Sequence, residues 1–170
     1  PRNLTAWTGF DALTHAIEAF LVPSFNPLCD AMALEALKLV SKFLPVAYNE
    51  PNNISARAGM LVGSCLAGVS FLKGLGLVHS ISHMIGAEYN THHGLTNAIV
   101  LPVVLRFNLE GMDSQTATIA QNMHLEGSSA AKLISEIEKL MGRTDIPDRG
   151  SAEAIGVSKE NLQWRQQSSI

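Results

Sequence analysis

Apolar residues recur along most of the chain at three- and four-residue intervals, and nowhere do they alternate cleanly with polar ones. Leu13, Ala16, Ile17 and Phe20 form one such stripe and predict a helix from about Gly9 to Val22, closed by Pro23. Thr8 and Asp11 at its start read as a Thr-x-x-Asp entry, a variant of the capping box. Asn26-Pro27 predicts the next start, since Asn is a good N-cap and Pro suits the first helical position. That helix is expected to reach Leu44, before Pro45, with Leu34, Leu37, Val40, Ser41 and Leu44 facing inward. A third runs from near Ser55 to about Leu72, and its Gly59, Gly63, Ala67 and Gly68 would let a neighbouring helix approach closely. Gly74-Leu75-Gly76 breaks the chain before a fourth helix, Leu77 to Tyr89. Asn90-Thr91 reads as a turn carrying the next N-cap. A fifth helix follows from about Gly94 to Phe107, with a kink or restart expected at Pro102. Shorter helices fit Ser114 to Met123 and Ser129 to Met141; Asp145 to Gly150 reads as a loop, and Ser158-Lys159-Glu160 as the start of a last short helix. With no Asn-Gly or Asp-Gly hairpin turn, the fold class is all-α, a helical bundle.

Composition narrows this picture. Of the 170 residues, 46% are hydrophobic and only 16% charged, against a usual charged share of about 25%. A chain this apolar can bury a sizeable core, and its sparse charge fits a surface covered by another domain or by a second copy in a homo-oligomer. The net charge is −3 and no basic run or stripe occurs, which argues against nucleic-acid binding. Two cysteines, Cys29 and Cys65, are too few for a disulfide scaffold. With no signal-peptide pattern at Pro1-Arg2-Asn3, they point to a reducing, cytoplasmic setting. The longest uncharged apolar run, Ala58 to Leu72, is short of the roughly 20 residues of a membrane span and is expected to be a buried helix.

The histidines are concentrated rather than scattered. His15, His79, His83, His92 and His93 lie in or beside the most apolar helices, and only His124 stands apart. Asp11 and His15 are four residues apart, one turn along a single helix face, and His79 and His83 repeat that spacing. His93 opens the next helix. Three helices could thus aim a carboxylate and imidazoles at one point, a donor set suited to Fe²⁺ or Zn²⁺. The plainer readings stand beside this one. Asp11 can be the third residue of a cap, favoured there by the helix dipole, and a histidine on an apolar helix is commonly a hydrogen-bonded core residue.

Three stretches carry a family resemblance. Gly9-Phe10-Asp11-Ala12-Leu13-Thr14-His15-Ala16-Ile17-Glu18-Ala19 resembles the first metal motif of the iron-containing (group III) alcohol dehydrogenases. Gly74-Leu75-Gly76-Leu77-Val78-His79-Ser80-Ile81-Ser82-His83-Met84-Ile85-Gly86-Ala87 is similar to their second, and Asn90-Thr91-His92-His93-Gly94-Leu95-Thr96-Asn97-Ala98 to their third. The likeness is close from Leu4 to Asn108 and looser beyond. It implies a dehydroquinate synthase-like helical fold and a metal held by Asp11, His15, His79 and His93, with iron favoured and zinc the alternative. It implies His83 near the nicotinamide ring of NAD or NADP, as the catalytic and cofactor-contacting histidine, and gives His92 no ligand role. The activity implied is hydride transfer between a small alcohol or aldehyde and NAD(P), the metal serving as Lewis acid.

Enzymes of this family have an N-terminal α/β half that binds the nucleotide and a helical half that carries the metal. Residues 1–170 resemble only the second and read as one helical metal-binding domain, with the C-terminal end short of the family's. No Gly-x-Gly-x-x-Gly occurs, so the chain alone is expected to be inactive, with the N-terminal domain as its partner. Two other functions are compatible with the same residues: a non-catalytic helical metal-binding or assembly module, and a metal-assisted hydrolase with Glu18 as base.

Overall fold

In the computed structural model, which describes residues 1–147, the chain forms seven α-helices and one 3₁₀ turn, with no strand among the described residues. They are α1 (Arg2–Leu21), α2 (Pro27–Asn49), α3 (Ile54–Ser70), the turn Phe71–Lys73, α4 (Leu77–Tyr89), α5 (His93–Asn108), α6 (Asp113–Asn122) and α7 (Ala130–Arg143). The all-α expectation is met. The short helix expected at Ser158-Lys159-Glu160 lies outside the described residues.

Helix α1 is the axis of the fold. It packs against α2, α3 and α5, and Phe10, Leu13, Ala16 and Ile17 on it are fully buried. The helix begins about two turns earlier than its apolar stripe predicts. Thr8 therefore lies inside it and donates its hydroxyl to the Leu4 carbonyl at 2.8 Å. Asp11 is no capping residue, because the backbone around it is already helical and its carboxylate is free to face other elements.

Asn26 caps α2 as its sequence suggests, its side chain accepting from Cys29 N at 3.2 Å. The helix does not stop at Pro45 but runs to Asn49. A proline forfeits one backbone hydrogen bond. Here burial of Pro45, Ala47 and Tyr48 against the core outweighs that loss. Pro102 is likewise carried inside α5 without a restart, between the buried Leu101 and Val104.

Helices α2 and α3 form the tightest pair in the fold. A methyl group on Gly59 would fall 2.2 Å from the Phe43 ring, and one on Gly63 3.0 Å from Val40. Gly68 has open space around it and takes no part in the contact. Helix α3 is less buried than its apolar sequence predicts. Gly63, Ala67 and Ser70 are covered, while Leu61, Val62 and Val69 are exposed. With Phe71–Lys73 it makes the one described stretch, Ile54–Lys73, long and apolar enough by composition to cross a membrane.

The connection from α3 to α4 is shaped by its glycines. Gly74 has φ +136° and ψ 166°, a region open essentially to glycine alone. Lys73, almost wholly buried, ties the turn down by donating to Asp30 Oδ1 at 2.5 Å and to the Phe20 carbonyl at 3.2 Å. Asn90 ends α4 in the left-handed conformation, and the N-cap of α5 is His92 rather than the Asn90-Thr91 pair.

Candidate metal centre

Asp11, His15 and Glu18 share one face of α1, at spacings of four and three residues. Opposite them stand the first turn of α4 and the start of α5. The approach of α5 is made possible by Gly94. A methyl group there would meet the Trp7 carbonyl oxygen at 2.3 Å and Asp11 Cβ at 3.3 Å. The contact sets His93 and Asn97, one turn apart on α5, against Asp11.

The donor atoms of Asp11, His15 and His79 lie within 4.8 Å of one another. Asp11 Oδ1 is 3.3 Å from His93 Nε2, 3.6 Å from His79 Nε2 and 3.7 Å from His15 Nδ1. A tetrahedral ion with bonds near 2.1 Å would hold its donors roughly 3.4 Å apart, so the separations from His93 Nε2 and His79 Nε2 suit one. His93 meets the cluster through Asp11 and Asn97 and is not part of the mutually close trio. His15 turns Nδ1 to the Asp11 carbonyl at 2.9 Å, which leaves Nε2 with the lone pair.

His83 stands apart from the donors. It is exposed, stacks on His93 with ring centroids 5.1 Å apart, and meets His79 edge-on at 5.8 Å. The structure thereby separates His83 from His79, which their shared i, i+4 spacing could not do. His92 is occupied as the cap of α5, its Nδ1 accepting from Leu95 N, with its ring against Trp7. Phe71 lies beside His15 at 5.4 Å and is partly exposed, as is Leu72 next to it.

Two residues enter the site that ligand spacing does not mark. Asn97 is fully buried; its Nδ2 donates to Asp11 Oδ1 at 2.7 Å and lies 3.0 Å from His93 Nε2 and 3.2 Å from His79 Nε2. Its Oδ1 is buried without a partner among the described residues. The sequence signal was present, since Asn97 is four residues after His93. Glu18 is also buried. Its carboxylate accepts from the backbone N–H groups of Gly76 (3.1 Å), Val78 (2.7 Å) and His79 (3.3 Å), and lies 2.7 Å from His79 Nδ1. So engaged, it is not free to act as the base of a hydrolase.

Charge and burial compete throughout the cluster. Burial alone would raise the pKa values of Asp11 and Glu18, but hydrogen bonds, that of His79 foremost, hold both below their ordinary range. Burial pushes His15 and His93 down, more than the neighbouring Asp11 carboxylate restores. For His79 burial also acts downward, yet hydrogen bonds with Asp11 and Glu18 overcome it and push the ring up to about 9.

Residues 5–168 match the family described as Fe-containing alcohol dehydrogenase, C-terminal. The match extends past the region of close likeness in the sequence. The NAD-dependent methanol dehydrogenase of Bacillus methanolicus is 39% identical over 170 residues, 96% of this chain and 44% of that protein. The 1,3-propanediol dehydrogenase of Klebsiella pneumoniae is 40% identical over 165 residues, covering 91% of this chain and 43% of the relative. A crystal structure of 1,3-propanediol oxidoreductase superposes with TM-score 0.87 at 37% identity, over 98% of this chain and 45% of that one. The chain thus spans less than half the length of the relatives it matches. Its sequence motifs, its helical fold and these matches agree: the chain belongs to the Fe-containing alcohol dehydrogenase family and corresponds to its C-terminal part.

Proposed function

We propose that the chain is the metal-carrying domain of an alcohol dehydrogenase that interconverts a small alcohol and its aldehyde with NAD or NADP. Asp11, His15, His79 and His93 would hold a divalent ion, Fe²⁺ in preference to Zn²⁺. The supporting observation is the convergence, from three helices, of the Asp11 carboxylate oxygen with His93 Nε2 and His79 Nε2, 3.3 and 3.6 Å from it, and with a donor atom of His15 within 4.8 Å. When bound, such an ion supplies Lewis acidity toward an alcohol or aldehyde oxygen.

The chain's own residues have distinct tasks. Asp11 brings the formal negative charge of the donor set. His15 and His93, held below their ordinary pKa by burial, offer neutral lone pairs. His79 must release a proton to join them. His83, exposed and stacked on His93, would touch the nicotinamide ring or pass a proton to solvent. Phe71 presents apolar surface beside His15 and would limit water there. The relatives named as methanol and 1,3-propanediol dehydrogenases favour a short alcohol or diol as substrate.

Hydride transfer needs the dinucleotide held against the substrate, and such positioning is worth about 7–11 kcal/mol in favourable cases. No phosphate-cradling Gly-rich motif occurs in the 170 residues. The nucleotide would be held by an N-terminal domain, and the chain alone is expected to bind metal without oxidising alcohols.

The test is metal content after anaerobic reconstitution. The wild-type chain should take up one ion, and His79→Ala should take up little. Equal stoichiometric binding by both would overturn the assignment. Robust alcohol oxidation by the isolated chain would show that the cofactor site lies within it.

A further inference from the structure

Glu18 does more than its place on α1 requires. Gly76, the residue before α4, has no side chain with which to cap that helix. The cap comes instead from Glu18, whose carboxylate receives the N–H groups of Gly76, Val78 and His79 across about 60 residues of sequence. Gly76 makes room for it, since a methyl group there would sit 2.6 Å from Glu18 Oε1. Held by three backbone donors, the carboxylate has one remaining close partner among the described residues, His79 Nδ1 at 2.7 Å from Oε2. An ionised carboxylate can only accept. The proton of that bond therefore stays on Nδ1 whatever the charge of the ring, and Nε2 is the nitrogen left to carry a lone pair. Nε2 is the atom that faces Asp11 and Asn97.

We infer that Glu18 is a positioning residue of the metal centre: through its bond to Nδ1 it fixes the tautomer and rotation of His79, so that Nε2 meets the ion. Helix capping alone would not require the fourth contact. The inference rests on the metal reading given above. It adds a residue that the donor set does not contain, and it explains why a buried carboxylate stands three residues after His15. A carboxylate behind a ligating imidazole also raises the basicity of that ligand, and removing such a partner typically weakens metal binding by roughly 10–100-fold.

The experiment compares the wild-type chain with Glu18→Gln, Glu18→Ala and, as a control for general destabilisation, Ser129→Ala. Ser129 caps α7, a helix that carries none of the site residues, so its loss removes a helix cap without removing a bond to His79. Each chain is checked for helix content and titrated with Co²⁺ against a competing chelator, and its visible absorption bands are recorded. Nitrogen-15 spectra of the Zn²⁺-loaded wild type report which ring nitrogen of His79 binds.

Coordination through Nε2 is expected, with a slowly exchanging proton on Nδ1. Glu18→Gln and Glu18→Ala should bind Co²⁺ at least about tenfold more weakly, with shifted bands, while Ser129→Ala matches the wild type. Glu18→Gln keeps the side chain's shape and decides the matter if Glu18→Ala does not fold. A folded Glu18→Gln that binds Co²⁺ like the wild type overturns the inference, as does coordination of His79 through Nδ1. A wild-type chain that takes up no Co²⁺ removes the metal reading itself, and so the two failures are distinguishable.

Discussion

Replacing Gly94 by alanine should pull the site apart at one identifiable contact. The added methyl would lie 2.3 Å from the Trp7 carbonyl oxygen and 2.8 Å from its carbon, where ordinary contact begins near 3.4 Å. The obstructing atoms belong to the backbone of a buried helix and cannot swing away, so α5 must retreat by about 1 Å at this point. Overpacking of this kind costs about 1–3 kcal/mol. The intrinsic preference of helices for alanine works the other way by up to about 1 kcal/mol, so a net loss must come from the clash. For a chain of this length 1 kcal/mol corresponds to about 2–4 °C in Tm, and the net loss of up to about 3 kcal/mol predicts a fall of up to about 12 °C. The metal should respond more sharply. His93 Nε2 and Asp11 Oδ1, now 3.3 Å apart, would separate by a distance several times the roughly 0.2 Å tolerance of a metal–ligand bond. Thermal melts followed by circular dichroism, with a Co²⁺ titration of each chain, measure both effects. Unchanged Tm together with unchanged Co²⁺ affinity in Gly94→Ala would refute the close approach of α1 and α5.

The remaining predictions concern packing and titration. Gly63→Leu should destabilise the fold by roughly 1–3 kcal/mol or more, because Val40 and Leu39 leave no space at the α2–α3 contact. Gly68→Ala, with open space around it, should be neutral or gain up to about 1 kcal/mol, and chemical denaturation of the pair distinguishes the two faces of α3. The metal-free chain should be most stable near pH 6.5. Asp11 and Glu18, held below their ordinary 3.8 and 4.5, contribute stability that is lost as pH falls through their lowered values. His15 and His93, held below 6.5, add to the loss on the acid side. His79 contributes fully below 6.5, and its share drains away as pH rises through about 9. Denaturation midpoints of metal-free protein that stay level from neutrality to about pH 10 would contradict the paired state of His79.

Helix positions were legible in the sequence wherever periodicity and punctuation agreed. The span from about Leu77 to Tyr89 is legible because Gly76 and Asn90 bracket it with stop signals, and α4 has these bounds. The reading failed where a local rule was overridden by packing. Pro45 and Pro102 lie inside helices because the residues around them are buried. Thr8 and Asp11 mimic a helix start because their spacing is the same inside a helix as at its end. The i, i+4 spacing marks Asp11 with His15 and His79 with His83 as pairs; the choice of His79 over His83 comes from the family resemblance, and the structure brings Asp11, His15 and His79 together. The contribution of Glu18 is hidden, since it acts on another helix, and only the contact of Asn97 with His93, four residues before it, has a counterpart in spacing. No one-dimensional pattern reports that a side chain at Gly76 would collide with a carboxylate 58 residues earlier that takes its backbone N–H.

The contacts that build the centre join residues far apart in the chain, 61 residues for Glu18 with His79 and 86 for Asp11 with Asn97. Such a site does not exist in the unfolded chain, so an ion bound there stabilises only the folded one. Free metal at 100 times its dissociation constant would add about 2.7 kcal/mol to the folding free energy. That is a sizeable share of the 5–15 kcal/mol typical of a whole domain. The ion would act as a clamp between the beginning of the chain and its middle, across three helices that are otherwise joined only by side-chain packing and a few hydrogen bonds. Metal supply, beyond governing the chemistry at the site, would then set how much of the protein survives proteolysis in the unfolded state.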